Sequence, residues 1–561
     1  MSSRTEYERW LAQLEEGDAL RGELISIAHD PREIEERFYA PLEFGTAGLR
    51  GILGAGTNRM NVPVVKRATA GLADYVLSFP QGKERGVAIA YDSREKSSLF
   101  ALETAKTLAA HGVKARLFPS LRPVPLLSFA LRHLGCIAGV VVTASHNPPA
   151  YNGYKVYWEH GGQCGPEQAR EIYARMRCFD YFDVPSMPEE EARRAGLIET
   201  IESETDEAYY AATASLLQWP ELMREKGKEL RLIYTPLHGS GLVPVTALLN
   251  RVGVAHVSVV PAQAEPDPRF PTVKAPNPED PNAFALAIPL ADEVGADAIL
   301  ATDPDADRMG LALRGEGGMF SVLSGNKIGC LLLHYLLSSM KEKGTLPKDG
   351  FAVKSLVSTR MAEAICEAFG VACFDVPTGF RFISEKIDES ARTGKGTFLF
   401  GFEESYGFLA GGFSRDKDAV LASMLTAEAC VYYKEQGKTL CGVLDDMARL
   451  YGYFDESVKS YTLEGMEGLA RIAGAMERLR GAPPEEFAGI PVEKAEDLLP
   501  DGQNVLRYFL KGGAWLCVRP SGTEPKLKLY IGANETTADR LKALLAALTR
   551  DADGLLMRLL A

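Results

Sequence analysis

Short apolar runs alternate along the chain with longer stretches whose apolar positions recur at helical spacing. Residues 86–91 are followed by the amphipathic stretch 99–111, and 230–234 by 242–252. Such alternation predicts α/β units with mostly parallel strand pairing. Ahead of these units, residues 5–40 are rich in Glu and Arg, with apolar positions at Trp10, Leu11 and Leu14 and again at Ile34, Phe38 and Tyr39, which predicts helices. The Pro-rich stretch 261–281 predicts an extended loop. Soft boundaries near 210, 325 and 450 divide the chain into 1–210, 211–325, 326–450 and 451–561. At ~150 residues per domain, 561 residues predict three to four domains.

Four apolar runs end abruptly in a polar loop marked by Gly or Pro. Run 137–142 ends in Thr143-Ala144-Ser145-His146-Asn147-Pro148, and 298–301 in Asp303-Pro304-Asp305-Ala306-Asp307-Arg308. Run 398–400 ends in Gly401-Phe402-Glu403-Glu404-Ser405, and 515–518 in Arg519-Pro520-Ser521-Gly522-Thr523-Glu524-Pro525. Sites in α/β sheets lie beyond strand ends, so these loops are candidate walls of one cleft.

Composition narrows the classes. With 46% hydrophobic and 24% charged residues, and Gly and Pro together about 15%, the chain is that of a globular protein. A net charge of −13 argues against nucleic-acid or anionic-membrane partners. The nine cysteines are scattered and include no C-x-x-C pair, so neither a zinc site nor a disulfide framework is indicated. The N-terminus has no apolar signal core, and the greasiest segment, 328–337, falls far short of ~18 apolar residues. A cytoplasmic protein is expected. No feature of the chain points to an oligomeric state.

Three aspartates at alternate positions after a strand offer an all-oxygen donor set, the preference of hard divalent cations. An EF-hand needs Gly at the sixth position and Glu at the twelfth, where Arg308 and Arg314 stand. Mg²⁺ is therefore favoured, against the alternative of a solvated acidic loop. Ser145 has His146 beside it but no G-x-S-x-G elbow, so a hydrolase nucleophile is not indicated. Phosphorylated, the serine brings anionic oxygens to a Mg²⁺ held by Asp303, Asp305 and Asp307, and Lys155 is placed to exchange a proton at the transferring oxygen. Taken singly, Ser145 and His146 also fit ordinary loop residues. Arg519, Ser521, Gly522 and Thr523, with Lys526, have the parts of a phosphate cradle or of a surface turn. Carboxylates such as Glu403 bind vicinal hydroxyls or make a solvated patch, and Thr378-Gly379-Phe380-Arg381 forms a weaker turn of the same kind. Gly437-Lys438-Thr439 ends like a P-loop, but Tyr432 occupies the place of its first glycine.

Together with Phe44-Gly45-Thr46-Ala47-Gly48-Leu49-Arg50-Gly51, the four loops in this order resemble the α-D-phosphohexomutase superfamily, most closely its phosphoglucomutase branch. The resemblance spans nearly the whole chain. It implies three related α/β domains and a smaller C-terminal α+β domain around a central cleft: 1–210 with the N-terminal helices and phosphoserine, 211–325 with the metal, 326–450 with the sugar and 451–561 with the distal phosphate. Ser145 matches the phosphorylated serine, itself a metal ligand with Asp303, Asp305 and Asp307. Arg308 matches a contact of the transferring phosphoryl, and Arg50, His146 and Lys155 the basic residues around the reacting oxygen. Glu403 and Ser405 match sugar-hydroxyl contacts, joined by Thr378 and Gly379. Arg519, Ser521, Gly522 and Thr523, with Lys526, match the grip on the phosphate that stays. Arg381 stands where relatives often carry lysine, so the resemblance implies only a binding role for it.

The implied reaction interconverts glucose 1-phosphate and glucose 6-phosphate through phosphoserine and a bound glucose 1,6-bisphosphate, which is also the primer. The implied partners are small hexose phosphates, with closure by the C-terminal domain excluding water. Phosphomannomutase and phosphopentomutase are alternatives within the superfamily; a Mg²⁺-dependent sugar phosphatase using Asp303 as nucleophile and a sugar-phosphate-binding protein lie outside it. The charge of −13 is then opposed locally by Arg50, Lys155, Arg308, Arg381, Arg519 and Lys526.

Overall fold

The computed structural model describes residues 2–561 apart from Thr46, Ala47, Glu316, Glu464 and 522–525, and the side chains of Met466 and Asp501. The chain forms two compact units, one of residues up to 328 with 380–437, the other of 329–379 with 438–561.

The first unit contains two mixed sheets built alike. In one, the strands Val87–Tyr91, Ala115–Leu117, Ala138–Val142 and Ile198–Thr200 pair in parallel, while Tyr151–Trp158 and Gly48–Ile52 add antiparallel strands beyond Ala138–Val142. In the other, Ala298–Thr302, Arg231–Thr235 and His256–Val259 pair in parallel, with Met309–Arg314 and Phe320–Val322 antiparallel at the edge. All five residues of Ala138–Val142 and of Ala298–Thr302 are buried. Strands covered on both faces read as unbroken apolar runs, which is why sequence alone finds them. Each of these two strands turns through its polar loop into an antiparallel partner. The strand Thr397–Glu403 does the same, returning as Gly407–Ala410. The chemistry-bearing loops are thus hairpin connections, short and anchored at both ends.

Two strand ends differ from expectation. The third run does not stop at Phe400: Gly401 and Phe402 continue the strand to Glu403. Gly401 is there for space rather than for a turn, since a Cβ at that position would lie 2.8 Å from Ile383 Cγ2. Likewise Arg519 and Pro520 extend the strand Trp515–Pro520, opposite Lys528 and Leu527. Phe380 and Arg381 open the helix Phe380–Thr393 instead of completing a turn.

The N-terminal stretch forms three helices, Ser3–Gln13, Ala19–Ser26 and Pro31–Phe38, started by N-caps at Ser2, Asp18 and Asp30. Trp10 is fully buried and meets Phe38, Tyr181 and Phe182 with ring centroids 5.8, 5.2 and 5.2 Å away. These helices therefore share the first core. Trp10→Ala is expected to lower unfolding free energy by about 3–5 kcal/mol, measured by denaturant titration, through lost burial and an unfilled cavity.

In the second unit, Gly350–Ser355 pairs in parallel with Ala372–Val376, linked by the helix Met361–Phe369. The C-terminal part is an antiparallel sheet in the order Tyr453–Thr462, Lys526–Glu535, Trp515–Pro520, Leu506–Leu510, Ile490–Asp497, Glu486–Phe487. Residues of Gly465–Gly481 and Ala538–Leu560, among them Ile472, Leu479, Leu548 and Leu556, share its core. Among the described residues no helix is long and apolar enough to cross a membrane.

Candidate active site

The strand Ala138–Val142 delivers Ser145 one turn beyond its end. The Ser145 N–H donates to Thr143 Oγ1 at 2.8 Å, and the serine hydroxyl donates to Asp303 Oδ2 at 2.7 Å. The Nδ1 of His146 lies 3.2 Å from the same hydroxyl. Burial, then the nearby Arg308 and Arg50 guanidinium groups, holds the His146 imidazole well below its ordinary pKa, so the ring is neutral at physiological pH. Arg50, on the strand Gly48–Ile52, donates to Asn147 Oδ1 at 3.1 Å.

Asp303, Asp305 and Asp307 are all buried, with one carboxylate oxygen from each within 4.8 Å of the others. Asp303 Oδ1 accepts the backbone N–H groups of Asp307 and Arg308 at 3.1 and 3.0 Å. Asp305 Oδ2 accepts from Lys155 Nζ at 2.8 Å, with Thr143 Oγ1 3.1 Å away. Burial and the neighbouring carboxylates push the Asp303 and Asp307 carboxyl groups up, whereas Asp305 is held low against its burial by Lys155, a hydrogen bond with Asp303 and Lys417 together. Asp305 Oδ1 and Asp307 Oδ1 are buried without a hydrogen-bond partner among the described residues. Buried, unsatisfied carboxylate oxygens in an all-oxygen trio fit a hard divalent cation.

Cations flank the trio. Lys155 Nζ is also 3.7 Å from Asp307 Oδ2. Arg308 Nη1 reaches Glu279 Oε1 at 2.5 Å; burial works to lower the Arg308 pKa, but Glu279, Asp307 and Asp303 outweigh it. Lys417, from the segment preceding the helix Ala419–Glu435, lies 3.0 Å from Asp307 Oδ2 and 3.1 Å from Asp416 Oδ1. Asp416 in turn accepts from Tyr157 Oη and Gln163 Nε2 at 2.8 and 3.0 Å. Glu403 is buried, and its carboxylate raises the pKa of both Arg308 and Lys417. The Met309 N–H donates to Tyr406 O at 3.1 Å, joining the aspartate loop to the loop that carries Ser405.

One compact unit therefore brings Ser145, His146, Lys155, Arg308 and the three aspartates together, with Arg50 reaching the serine loop from its strand and Glu403 beside the cations. Arg381, on the helix Phe380–Thr393 of that unit, lies 4.4 Å over the Phe382 ring. Thr378, Gly379, Arg519, Ser521 and Lys526 belong to the other unit, where the Ser521 N–H donates to Lys526 O at 2.7 Å. Gly522 and Thr523 lie outside the described residues. Sequence reasoning missed Lys417, Asp416 and Glu279. The run Arg415-Asp416-Lys417-Asp418 is charged throughout, yet all four residues are buried.

Asp418 caps the helix Ala419–Glu435 through the Leu421 N–H and accepts the Tyr209 hydroxyl at 2.8 Å. Burial pushes its carboxyl up to about 7. Between about pH 4 and 7 the folded protein holds a proton there that the unfolded chain has lost, so this contribution to stability falls as pH rises. Asp418→Asn keeps the cap and removes the titration. Relative to the parent, the variant is expected to gain about 1–3 kcal/mol of stability between pH 5 and pH 8 in urea unfolding.

A buried serine hydrogen-bonded into a carboxylate trio, on hairpin loops of two α/β sheets built alike, is an arrangement suited to metal-assisted phosphoryl transfer. The chain belongs to the phosphoglucomutase/phosphomannomutase family. Its alpha/beta/alpha domains I, II and III match residues 41–180, 207–317 and 324–451, and its C-terminal domain matches 475–550. The chain is accordingly a phosphohexomutase of four-domain architecture, an isomerase-class enzyme. Similar curated proteins include the phosphoglucomutase of Staphylococcus epidermidis, 36% identical over 520 residues, 89% of this chain and 92% of the relative. That of Staphylococcus aureus strain N315 is 34% identical over 522 residues, 89% of this chain and 91% of the relative. Two solved structures share the fold: a phosphoglucomutase/phosphomannomutase family protein from Burkholderia thailandensis (TM-score 0.68, 17% identity, 91% of this chain and 97% of that one) and the phosphoglucomutase parafusin from Paramecium in its open form (TM-score 0.69, 15% identity, 93% and 96%).

Proposed function

We propose that the chain interconverts α-D-glucose 1-phosphate and glucose 6-phosphate, with Ser145 as phosphoryl carrier and Asp303, Asp305 and Asp307, together with phosphorylated Ser145, as ligands of Mg²⁺. The observation that carries this reading is the 2.7 Å hydrogen bond from the Ser145 hydroxyl into the buried aspartate trio. Mg²⁺ bound there supplies positive charge against the phosphoryl oxygens. Transfer breaks the bond between phosphorus and Ser145 Oγ and forms one to the free sugar hydroxyl, whose proton ends on the serine oxygen. Lys155 and neutral His146 relay that proton, and Arg308 and Arg50 stabilise the charge spread over the moving group. Glucose 1,6-bisphosphate, both primer and intermediate, reorients and returns its other phosphoryl to Ser145. We assign Glu403 and Ser405, with Thr378, Gly379 and Arg381, to the sugar, and Arg519, Ser521, Gly522, Thr523 and Lys526 to the phosphate that stays.

A phosphatase using Asp303 as nucleophile is disfavoured, because both Asp303 oxygens are engaged, one by two backbone N–H groups and the other by Ser145. The test supplies glucose, mannose and ribose 1-phosphates separately with Mg²⁺ and trace bisphosphate, and follows isomerisation and phosphate release together. Glucose 1-phosphate is expected to isomerise fastest with little phosphate released. Phosphate release exceeding isomerisation would overturn the mutase reading, and faster turnover of another sugar would overturn the substrate.

A further inference from the structure

Ser145 sits in the left-handed backbone region at φ +52°, a conformation that an L-residue with a side chain keeps only when its surroundings enforce it. The strand Val87–Tyr91 lies parallel to Ala138–Val142, so the residues following the two strands emerge side by side. From the first of them comes Arg94, which is 3% exposed. Its Nη2 donates to the carbonyls of Ser145 and Asn147, each at 2.5 Å, and its Nη1 to those of Pro148 and Tyr151, each at 3.0 Å. Its Nε lies 3.4 Å from Asp92 Oδ2, an ion-pair contact without a hydrogen bond.

The guanidinium is itself held. Asp92 accepts the Arg94 N–H at 3.0 Å and the Ser97 hydroxyl at 2.8 Å, and the Phe270 ring centroid lies 5.1 Å from the Arg94 Cζ. Asp92 Oδ2 also accepts the Thr143 hydroxyl at 2.6 Å, the same hydroxyl whose oxygen takes the Ser145 N–H. One ion pair thus grips the serine loop from both sides of Ser145: Asp92 through Thr143 before it, Arg94 through four carbonyls from Ser145 onward. All the terminal Arg94 donors that the structure assigns serve main-chain carbonyls. The loop therefore winds around this cation, which fixes the direction of the Ser145 side chain without touching it.

We propose that Arg94 is a positioning residue for phosphoryl transfer, holding the backbone of 145–151 so that Ser145 Oγ faces the aspartate trio during transfer in either direction. This rests on the reading of Ser145 as the phosphoryl carrier. A planar fork with five fixed donors suits the task; a lysine keeps the charge beside Asp92 but cannot serve four carbonyls in one plane. A misaligned phosphoserine should lose transfer to sugar far more than attack by water, which needs no such alignment.

The full-length protein and its R94K and R94Q variants are labelled with ³²P-glucose 1,6-bisphosphate to count phosphorylated Ser145. Label is then chased with glucose 1-phosphate, and its partition between sugar and inorganic phosphate is measured. For R94K, kcat per labelled site is expected to fall on the order of 10–100-fold while KM stays within about twofold, and a larger share of label is lost to water. Lower labelling with an unchanged partition and unchanged kcat per labelled site overturns the proposal. So does failure of both variants to fold, which makes Arg94 a stability residue. If the parent protein takes no label at Ser145, the mutase reading itself fails; parent labelling with normal transfer in folded R94K defeats the inference about Arg94 alone.

Discussion

Ser145→Ala is expected to lower mutase turnover by on the order of 10⁴-fold or more while leaving the fold and sugar-phosphate binding in place. The size of the effect follows from what is removed. No other group stands in for the oxygen that carries the phosphoryl, so the loss is of the covalent step itself, not of one stabilising contact. The change deletes a single atom. The backbone N–H that reaches Thr143 remains, as do the carbonyl contacts of the loop, and Asp303 Oδ2 loses a neutral donor while Oδ1 keeps two. Thermal unfolding of the variant should therefore track the parent. Intact-mass measurement after exposure to glucose 1,6-bisphosphate should show phosphate on the parent and none on the variant, and calorimetric titration should give similar affinities for glucose 6-phosphate. Turnover within tenfold of the parent would remove Ser145 from the mechanism. Phosphate release surviving in the variant would instead point to Asp303 as a nucleophile.

Where the site is written in consecutive residues, it is readable from sequence. Asp303, Asp305 and Asp307 lie within one short loop, and their strand is apolar throughout because both its faces are covered. The same holds for Ser145 after Ala138–Val142. Legibility ends where the deciding property is burial of charge. Lys417, Asp416 and Arg94 look like any surface residue in the chain, since nothing local marks a lysine whose partner Asp307 stands more than a hundred positions earlier. Glycine misled in the other direction: Gly401 reads as a break, but tertiary crowding by Ile383 is what requires it inside a strand. The antiparallel return strands were also hidden, because Tyr151–Trp158 mixes polar and apolar residues while six of its eight positions are buried. The N-terminal helices are legible as helices, but their sharing of the first core is not, because it depends on Trp10 meeting Tyr181 and Phe182 across distant sequence.

Lys417→Met is expected to be the most destabilising single change near the site, by about 3–5 kcal/mol at neutral pH, together with a large loss of turnover. Lys417 is 7% exposed and its ammonium lies between Asp307 and Asp416. Burial works to lower the Lys417 pKa, but Asp307, Asp416 and Glu403 outweigh it, so the group stays charged. Space for its stem is reserved: a Cβ on Gly407 would collide with Lys417 Cδ and Cγ. Methionine fills most of that space and removes the ammonium with its hydrogen bond to Asp416, so the change tests electrostatics more than packing. Asp307 keeps Lys155 at 3.7 Å, whereas Asp416, held below the usual carboxylate range against its burial chiefly by Lys417, loses its main counter-charge. In the variant both carboxyl groups titrate higher in the folded protein than in the unfolded chain, and stability tied to such a group is present at low pH and lost as pH rises. The deficit should thus shrink on acidification, being smaller near pH 5 than near pH 8 in urea titrations of the metal-free protein. Adding Asp416→Asn should recover part of it by removing the stranded charge, a coupling that a double-mutant cycle reads directly. A deficit below about 1 kcal/mol near pH 8, or one independent of pH, would mean that Lys417 does not neutralise this pair.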